Sequence, residues 1–192
     1  MCIRDRLYRM DFDLLKREEL TPLSDSDIKK ILGENTKILE YKDLLNYNDI
    51  NKILTKDKDY LILLYELKAS SGHWTAILKY DNMFEHFDPY GIKPDGELKW
   101  ISAAARSKLH EEYPYLTKLL HDSGMDVIYN HTRFQSYKPI ISTCGHHCVH
   151  RIYRFIHDNL DLDEYTKYMN YLKNEFKLNY DEVVAEFILT VN

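Results

Sequence analysis

The spacing of apolar positions changes along this chain. Over "PLSDSDIKKILG" (22–33), Ile28, Ile31 and Leu32 share one helical face. Ser24 or Ser26 can cap the first turn, acidic residues fill it, and Gly33 stops it. "YKDLLNYNDINKIL" (41–54) reads as one or two further short helices. At Asp59 the pattern turns to strands. "DYLILLYEL" (59–67) is a short, nearly continuous apolar run, as in a buried strand. "HWTAILKY" (73–80), the turn pair Asp81-Asn82 and "MFEHFDPYG" (83–91) read as a hairpin, and "MDVIYN" (125–130) as a fourth strand. "PDGELKWISAAA" (94–105) and "EEYPYLTKLLHD" (111–122) look helical. After Cys144, the apolar residues Cys148, Ile152, Phe155 and Ile156 fall at i, i+4, i+7 and i+8 of a helix. Amphipathic helices over about 161–176 and 180–190 finish the chain. The order predicts an α+β fold: a small, mostly antiparallel central sheet with flanking helices. No repeat or Pro/Gly/Ser-rich linker interrupts it, so one domain is expected. It has a helical N-terminal part (about 7–57), a sheet-bearing core (about 58–160) and C-terminal helices (about 161–192).

Composition narrows the function classes. The 192 residues are 44% hydrophobic and 30% charged, enough for one well-buried core. A net charge of −5 argues against a broad basic face for nucleic acid. Sixteen tyrosines read as Lys/Tyr/Asn-rich coding bias rather than as a tyrosine-built binding surface. No apolar run approaches the ~20 residues of a membrane span, and no basic-then-apolar leader marks secretion. The first six residues, "MCIRDR", match the translation of a transposon-end sequencing adaptor (ATG-TGT-ATA-AGA-GAC-AG). Met1–Arg6 are therefore set aside as adaptor read-through at the end of an assembled environmental fragment. Cys144 and Cys148 remain, too few for a disulfide framework and consistent with a reducing compartment.

Those two cysteines sit in "STCGHHCVH" (142–150) with His146, His147 and His150. A metal site is disfavoured: adjacent helical residues point about 100° apart, so Cys144, His146, His147 and Cys148 cannot converge on one ion. A redox pair would want Cys-x-x-Cys after a βαβ unit. The third reading is a nucleophile. Cys144 opens a helix whose free N–H groups favour a thiolate and can stabilise an oxyanion. Gly145 permits close backbone approach. Cys148, one turn deeper, reads as core packing, and the three histidines as helix-surface residues.

A cysteine nucleophile needs a histidine base and a group to orient it. His73 opens one hairpin strand and Asp88 closes the next. Hairpin pairing keeps the sum of residue numbers constant. A sum of 161 sets His73 opposite Asp88, and a sum of 163 sets Asp88 opposite Thr75, one diagonal step away. Either places both side chains on one face, and an even sum separates them. His86 alternates with Asp88 and is a lesser candidate for the same cleft.

"GHWTAI", "FDPYG", "RFQS" and "TCGHHC" follow in that order. Together they resemble the adenovirus maturation protease (adenain) family of DNA viruses, virophages and virus-like transposons, and more distantly the ubiquitin-like-protein proteases that share its fold. The resemblance spans about residues 60–156. It implies a single cysteine protease domain over 7–192 with its nucleophile at the N-terminus of a central helix. Residue by residue it implies His73 as general base, Asp88 as its orienting partner, Gln135 as oxyanion donor and Cys144 as nucleophile, with no cofactor or metal. Trp74 is expected to pack beside the histidine. The implied activity is a cysteine endopeptidase that matures capsid precursors at Gly-Gly-X or Gly-X sites, as a monomer, in the infected cell or virion. Alternatives with the same residues are a ubiquitin-like-modifier protease or an acetyltransferase; a zinc-binding module is the non-enzymatic one. Adenain is activated by DNA and by a peptide disulfide-linked to a cysteine between acid and nucleophile. No cysteine lies between Asp88 and Cys144, and the chain is acidic overall, so neither activator is expected.

Overall fold

Five strands, continuous apolar runs among them, build one mixed sheet in the computed structural model, which describes residues 11–68 and 71–191. Met1–Arg6, set aside above, lie outside the described residues. Two helices come first, α1 (Phe12–Leu20) and α2 (Asp25–Leu32). The side chain of Asp11 caps α1. Ser24 and Asp27 close a reciprocal capping box on α2, and Gly33, at φ 106°, ends it. The sheet follows as β1 (Ile38–Glu40), β2 (Tyr60–Lys68), β3 (Ser71–Lys79), β4 (Met83–Phe87) and β5 (Asp126–Tyr129), in spatial order β1-β2-β3-β4-β5. The central pairings β2–β3 and β3–β4 are antiparallel, the second as the hairpin predicts; the edge pairings β1–β2 and β4–β5 are parallel.

Both faces of the sheet are covered, which explains why β2 reads as unbroken apolar sequence. On one face Leu61, Leu63, Tyr65, Ile77 and Phe84 pack under two 3₁₀ helices (Tyr41–Asn46 and Ile50–Lys52) and under α3 (Ala103–Leu109) and α4 (Tyr115–Asp122). Segment 41–54 therefore forms 3₁₀ turns. Segment 94–105 divides into a 3₁₀ helix (Gly96–Trp100) and the start of α3. On the other face Ile62, Trp74, Ala76, Leu78 and Phe87 meet α5 (Cys144–His157), α6 (Leu162–Phe176) and α7 (Tyr180–Val191).

Helix α5 lies between β3, α2 and α7, so every residue from Cys144 to Ile152 is buried. This corrects the surface reading of His146, His147 and His150: all three are buried. Burial forces each to find a partner. His146 Nε2 lies 3.0 Å from Glu18 Oε1, His147 Nε2 3.1 Å from Asp181 Oδ1, and His150 Nδ1 2.9 Å from the Tyr165 hydroxyl. Arg151, also fully buried, forks onto Glu85 of β4 through Nε (2.8 Å) and Nη2 (2.7 Å) and ties α5 to the sheet. No helix among the described residues is long and apolar enough to cross a membrane.

Candidate active site

The hairpin register is the odd one. Ala76 pairs with Phe87, Ile77 with His86, Leu78 with Glu85 and Lys79 with Phe84, each summing to 163. Continued by one step, it brings Asp88 diagonally beside His73. His73 Nε2 lies 3.0 Å from Asp88 Oδ1, with both side chains buried. Asp88 is held on three sides. Its Oδ1 also accepts the Tyr90 N–H (2.6 Å), and its carbonyl accepts the Gly91 N–H (2.8 Å) in a turn that needs Gly91 at φ 74°. Asn130, just past β5, clamps its backbone, accepting the Asp88 N–H (2.8 Å) and donating to its carbonyl (2.6 Å). His86 lies on the same face as Asp88 but is fully buried and does not reach the cleft.

Cys144 is the first residue of α5. Gly145 fits closely there: a Cβ at this position would sit 3.2 Å from both Leu23 Cβ and Trp74 Cδ1, so either neighbour would have to give by a few tenths of an ångström. Trp74 packs as expected, its Nε1 donating to the Leu23 carbonyl (3.3 Å). Cys148 Sγ donates to the Trp74 carbonyl (3.4 Å) and is fully buried. With His146 on Glu18 and His147 on Asp181, the four side chains that a zinc module would use point at different partners.

The electrostatics couple Cys144 to His73. Burial opposes the Cys144 thiolate, but a hydrogen bond to His73, the charge of that ring, and the backbone N–H groups of Trp74 and Gly145 together bring the thiol below its ordinary range. Burial likewise opposes the imidazolium. The hydrogen bond and charge of Asp88, then those of Cys144, outweigh it and raise His73 to about 9. The two shifts are mutual: the imidazolium favours the thiolate, and the thiolate favours the imidazolium. A nucleophile so activated can attack a carbonyl carbon.

The two residues open onto a cleft of about 890 Å³ that Gln135 also lines. Trp74, Tyr90, Trp100 and Tyr137 wall it. Gln135 is buried, and its loop docks beside the acid: the Phe134 and Gln135 N–H groups both donate to the Pro89 carbonyl (2.9 Å each). The structure thus brings all four expected residues, His73, Asp88, Gln135 and Cys144, to one site. Among the described residues, the donor set best spaced for a metal is His73, Asp88 and Glu97, whose polar atoms lie within 4.8 Å of one another. Two of these are already hydrogen-bonded to each other.

Asp181, at the start of α7, carried no signal in the sequence, yet it joins three parts of the site. It accepts the Thr143 hydroxyl (2.5 Å), the Ser136 N–H (3.0 Å) and His147 Nε2 (3.1 Å). The helix start that presents Cys144 and the loop that carries Gln135 thus share one buried carboxylate. Asp181→Ala leaves these donors unsatisfied and is expected to lower the unfolding free energy by about 2–3 kcal/mol in a urea titration. Asp181→Asn, which keeps an acceptor, loses less. Equal stability of Asp181→Ala and wild type would contradict this role.

Fold and site together define an α+β chain with a buried thiol–imidazole–carboxylate set at the mouth of an aromatic cleft. The chain is 35% identical to "Uncharacterized protein V9" of Sputnik virophage over 172 residues, which is 89% of this chain and 96% of that one. It belongs to the family of that virophage protein. No protein-family model matches it. Among solved structures it is similar to the ASFV pS273R protease, with a TM-score of 0.47 and 15% identity over 91% of this chain and 69% of that chain.

Proposed function

We propose that the chain is a viral cysteine endopeptidase with Cys144 as nucleophile, His73 as general base, Asp88 as its orienting group and Gln135 as oxyanion donor. The observation that carries this reading is the His73–Asp88 hydrogen bond of 3.0 Å beside a cysteine at a helix N-terminus. The Cys144 thiolate attacks the scissile carbonyl. The Cys144 N–H and the Gln135 amide stabilise the oxyanion, and the His73 imidazolium protonates the leaving amine. Water then hydrolyses the thioester with His73 as base. The aromatic walls favour a narrow substrate, consistent with Gly-Gly-X or Gly-X sites, and the kinship with a virophage protein supports virion precursors as targets.

Cleavage of a Gly-Gly-X peptide by purified protein tests the reading. The kcat/KM profile is expected to be bell-shaped. It rises on the acid side as Cys144 deprotonates, at a pH below the ordinary thiol value of ~8.5, and falls as His73 loses its proton near pH 9. A rate that climbs steadily through pH 10, as for a free thiol, would count against it.

A further inference from the structure

Glu97 lies in the loop after the acid, fully buried, with no role in the chemistry described so far. Its place is fixed by Asp95, which precedes its 3₁₀ helix in the left-handed conformation (φ 62°). Asp95 Oδ1 accepts the hydroxyls of Tyr41 (2.6 Å) and Tyr65 (3.3 Å), and Oδ2 accepts the Thr117 N–H (2.7 Å). So anchored, the loop carries the Glu97 carboxyl under the hairpin, within 4.8 Å of His73 and Asp88.

The donors there are unevenly shared. Asp88 Oδ1 takes both His73 Nε2 and the Tyr90 N–H, whereas Asp88 Oδ2, Glu97 Oε1 and Glu97 Oε2 receive no N–H or O–H from another residue. Two ionised carboxylates cannot rest side by side away from water, but one proton between them satisfies both. His73 decides which keeps the charge. Asp88 faces that ring directly, while Glu97 forms no ion pair among the described residues. The other polar groups facing this pocket are Tyr65 of β2, Thr75 of β3, His86 of β4, and Asp95. None is a cation held beside Glu97; His86 is kept neutral by burial, which lowers its affinity for a proton despite Asp88.

We propose that Glu97 is a positioning residue: as a neutral carboxylic acid it donates its O–H to Asp88 Oδ2, leaving Asp88 ionised with Oδ1 aimed at His73. The energetics agree. Burial and then the neighbouring Asp88 raise the affinity of Glu97 for a proton, and the hydrogen bonds from Glu97 and His73 hold Asp88 below the usual carboxylate range against the cost of burial. The proposal rests on the peptidase reading for its consequence but not for its test.

The test is the pH dependence of Cys144 alkylation by iodoacetamide, resolved by peptide mass, in wild type, Glu97→Gln and Glu97→Ala. Glutamine still donates to Asp88, so Glu97→Gln keeps the wild-type profile. Alanine removes the donor, and Asp88 then takes up a proton at higher pH and releases the imidazolium. The acid limb of Glu97→Ala is expected about one pH unit higher, an alkylation rate about tenfold lower at a given acid pH. Should Glu97→Ala fail to fold, infrared difference spectra serve: at neutral pH the wild type shows a neutral carboxylic acid C=O band that Glu97→Gln lacks. A folded Glu97→Ala that superimposes on wild type, a Glu97→Gln shifted as far as Glu97→Ala, absence of the infrared band, or stoichiometric zinc lost on Glu97 substitution would each overturn the proposal. A protein that shows the shift and the band but cleaves no peptide would sink the peptidase reading and leave this one standing.

Discussion

Cys144→Ala is expected to remove peptide cleavage, a loss on the order of 10⁴-fold or more, while Cys148→Ala retains most of it. The two cysteines are one helical turn apart but chemically opposite. Cys144 borders the cleft, and His73 and the first N–H groups of α5 draw its proton away. Cys148 is sealed against β3, donates to the Trp74 carbonyl, and is pushed well above the ordinary thiol range by burial and then by the neighbouring Cys144. Cys144→Ser keeps the shape of the site but replaces a thiol with a hydroxyl too weakly acidic for His73 to hold ionised, so it is expected to be nearly as inactive. Steady-state cleavage of a Gly-Gly-X peptide, with circular dichroism to confirm folding, separates the variants. A folded Cys148→Ala without activity beside an active Cys144→Ala would reverse the assignment. His73→Ala should match Cys144→Ala within about tenfold, because residues that act as a unit fail together.

Residues whose placement depends on local periodicity were legible in the sequence. Parity along an antiparallel hairpin reduces the placement of His73 and Asp88 to a choice between odd and even registers, and the register summing to 163 is one of the two that permit their contact. The start of α5 at Cys144 followed from the return of helical spacing. Gln135 was different: nothing in "RFQS" marks it, and only the resemblance to a known family singled it out. The residues that carry no local signal depend on long-range contact. Asn130, Asp181 and Glu97 are ordinary polar residues in ordinary positions, and their roles exist only because β5, α7 and the loop after β4 converge on the site. The histidines of α5 depart from their surface pattern for a related reason. Polar residues on a helix imply solvent unless other elements cover that side, and here α1, α2 and α7 cover it, with Glu18 and Asp181 brought in as partners. β1 has no sequence signature because three residues carry too little pattern. The parallel edges were unreadable because they depend on crossovers rather than turns.

Arg151→Ala is expected to be the most destabilising single change in α5, at about 3–5 kcal/mol. Arg151 and Glu85 are both fully buried and share two charge-assisted bonds, with further bonds from Arg151 to the Tyr80 hydroxyl (2.7 Å) and the Leu160 carbonyl (3.1 Å). Truncating the arginine leaves the buried Glu85 carboxylate without its cation and with only the Tyr80 hydroxyl (2.7 Å) as a side-chain donor, which costs far more than the pair itself contributes. Replacing both partners is therefore the informative control. Arg151→Met with Glu85→Leu removes both charges and fills the volume with apolar groups, and should recover most of the loss, as buried pairs exchanged for packed side chains often do. Urea unfolding of the two single variants and the double variant gives the coupling between them. A single Arg151→Ala costing under about 1 kcal/mol would mean that the pair is solvated or readily replaced. The consequence for function follows from geometry. Arg151 lies two helical turns beyond Cys144 on the helix that sets the nucleophile against β3, so the double variant, if stable but slow, would show that the ion pair fixes the helix position rather than merely holding the fold. A double variant with wild-type kcat/KM would leave Gly145, Thr143 and Asp181 as the contacts that position the thiol.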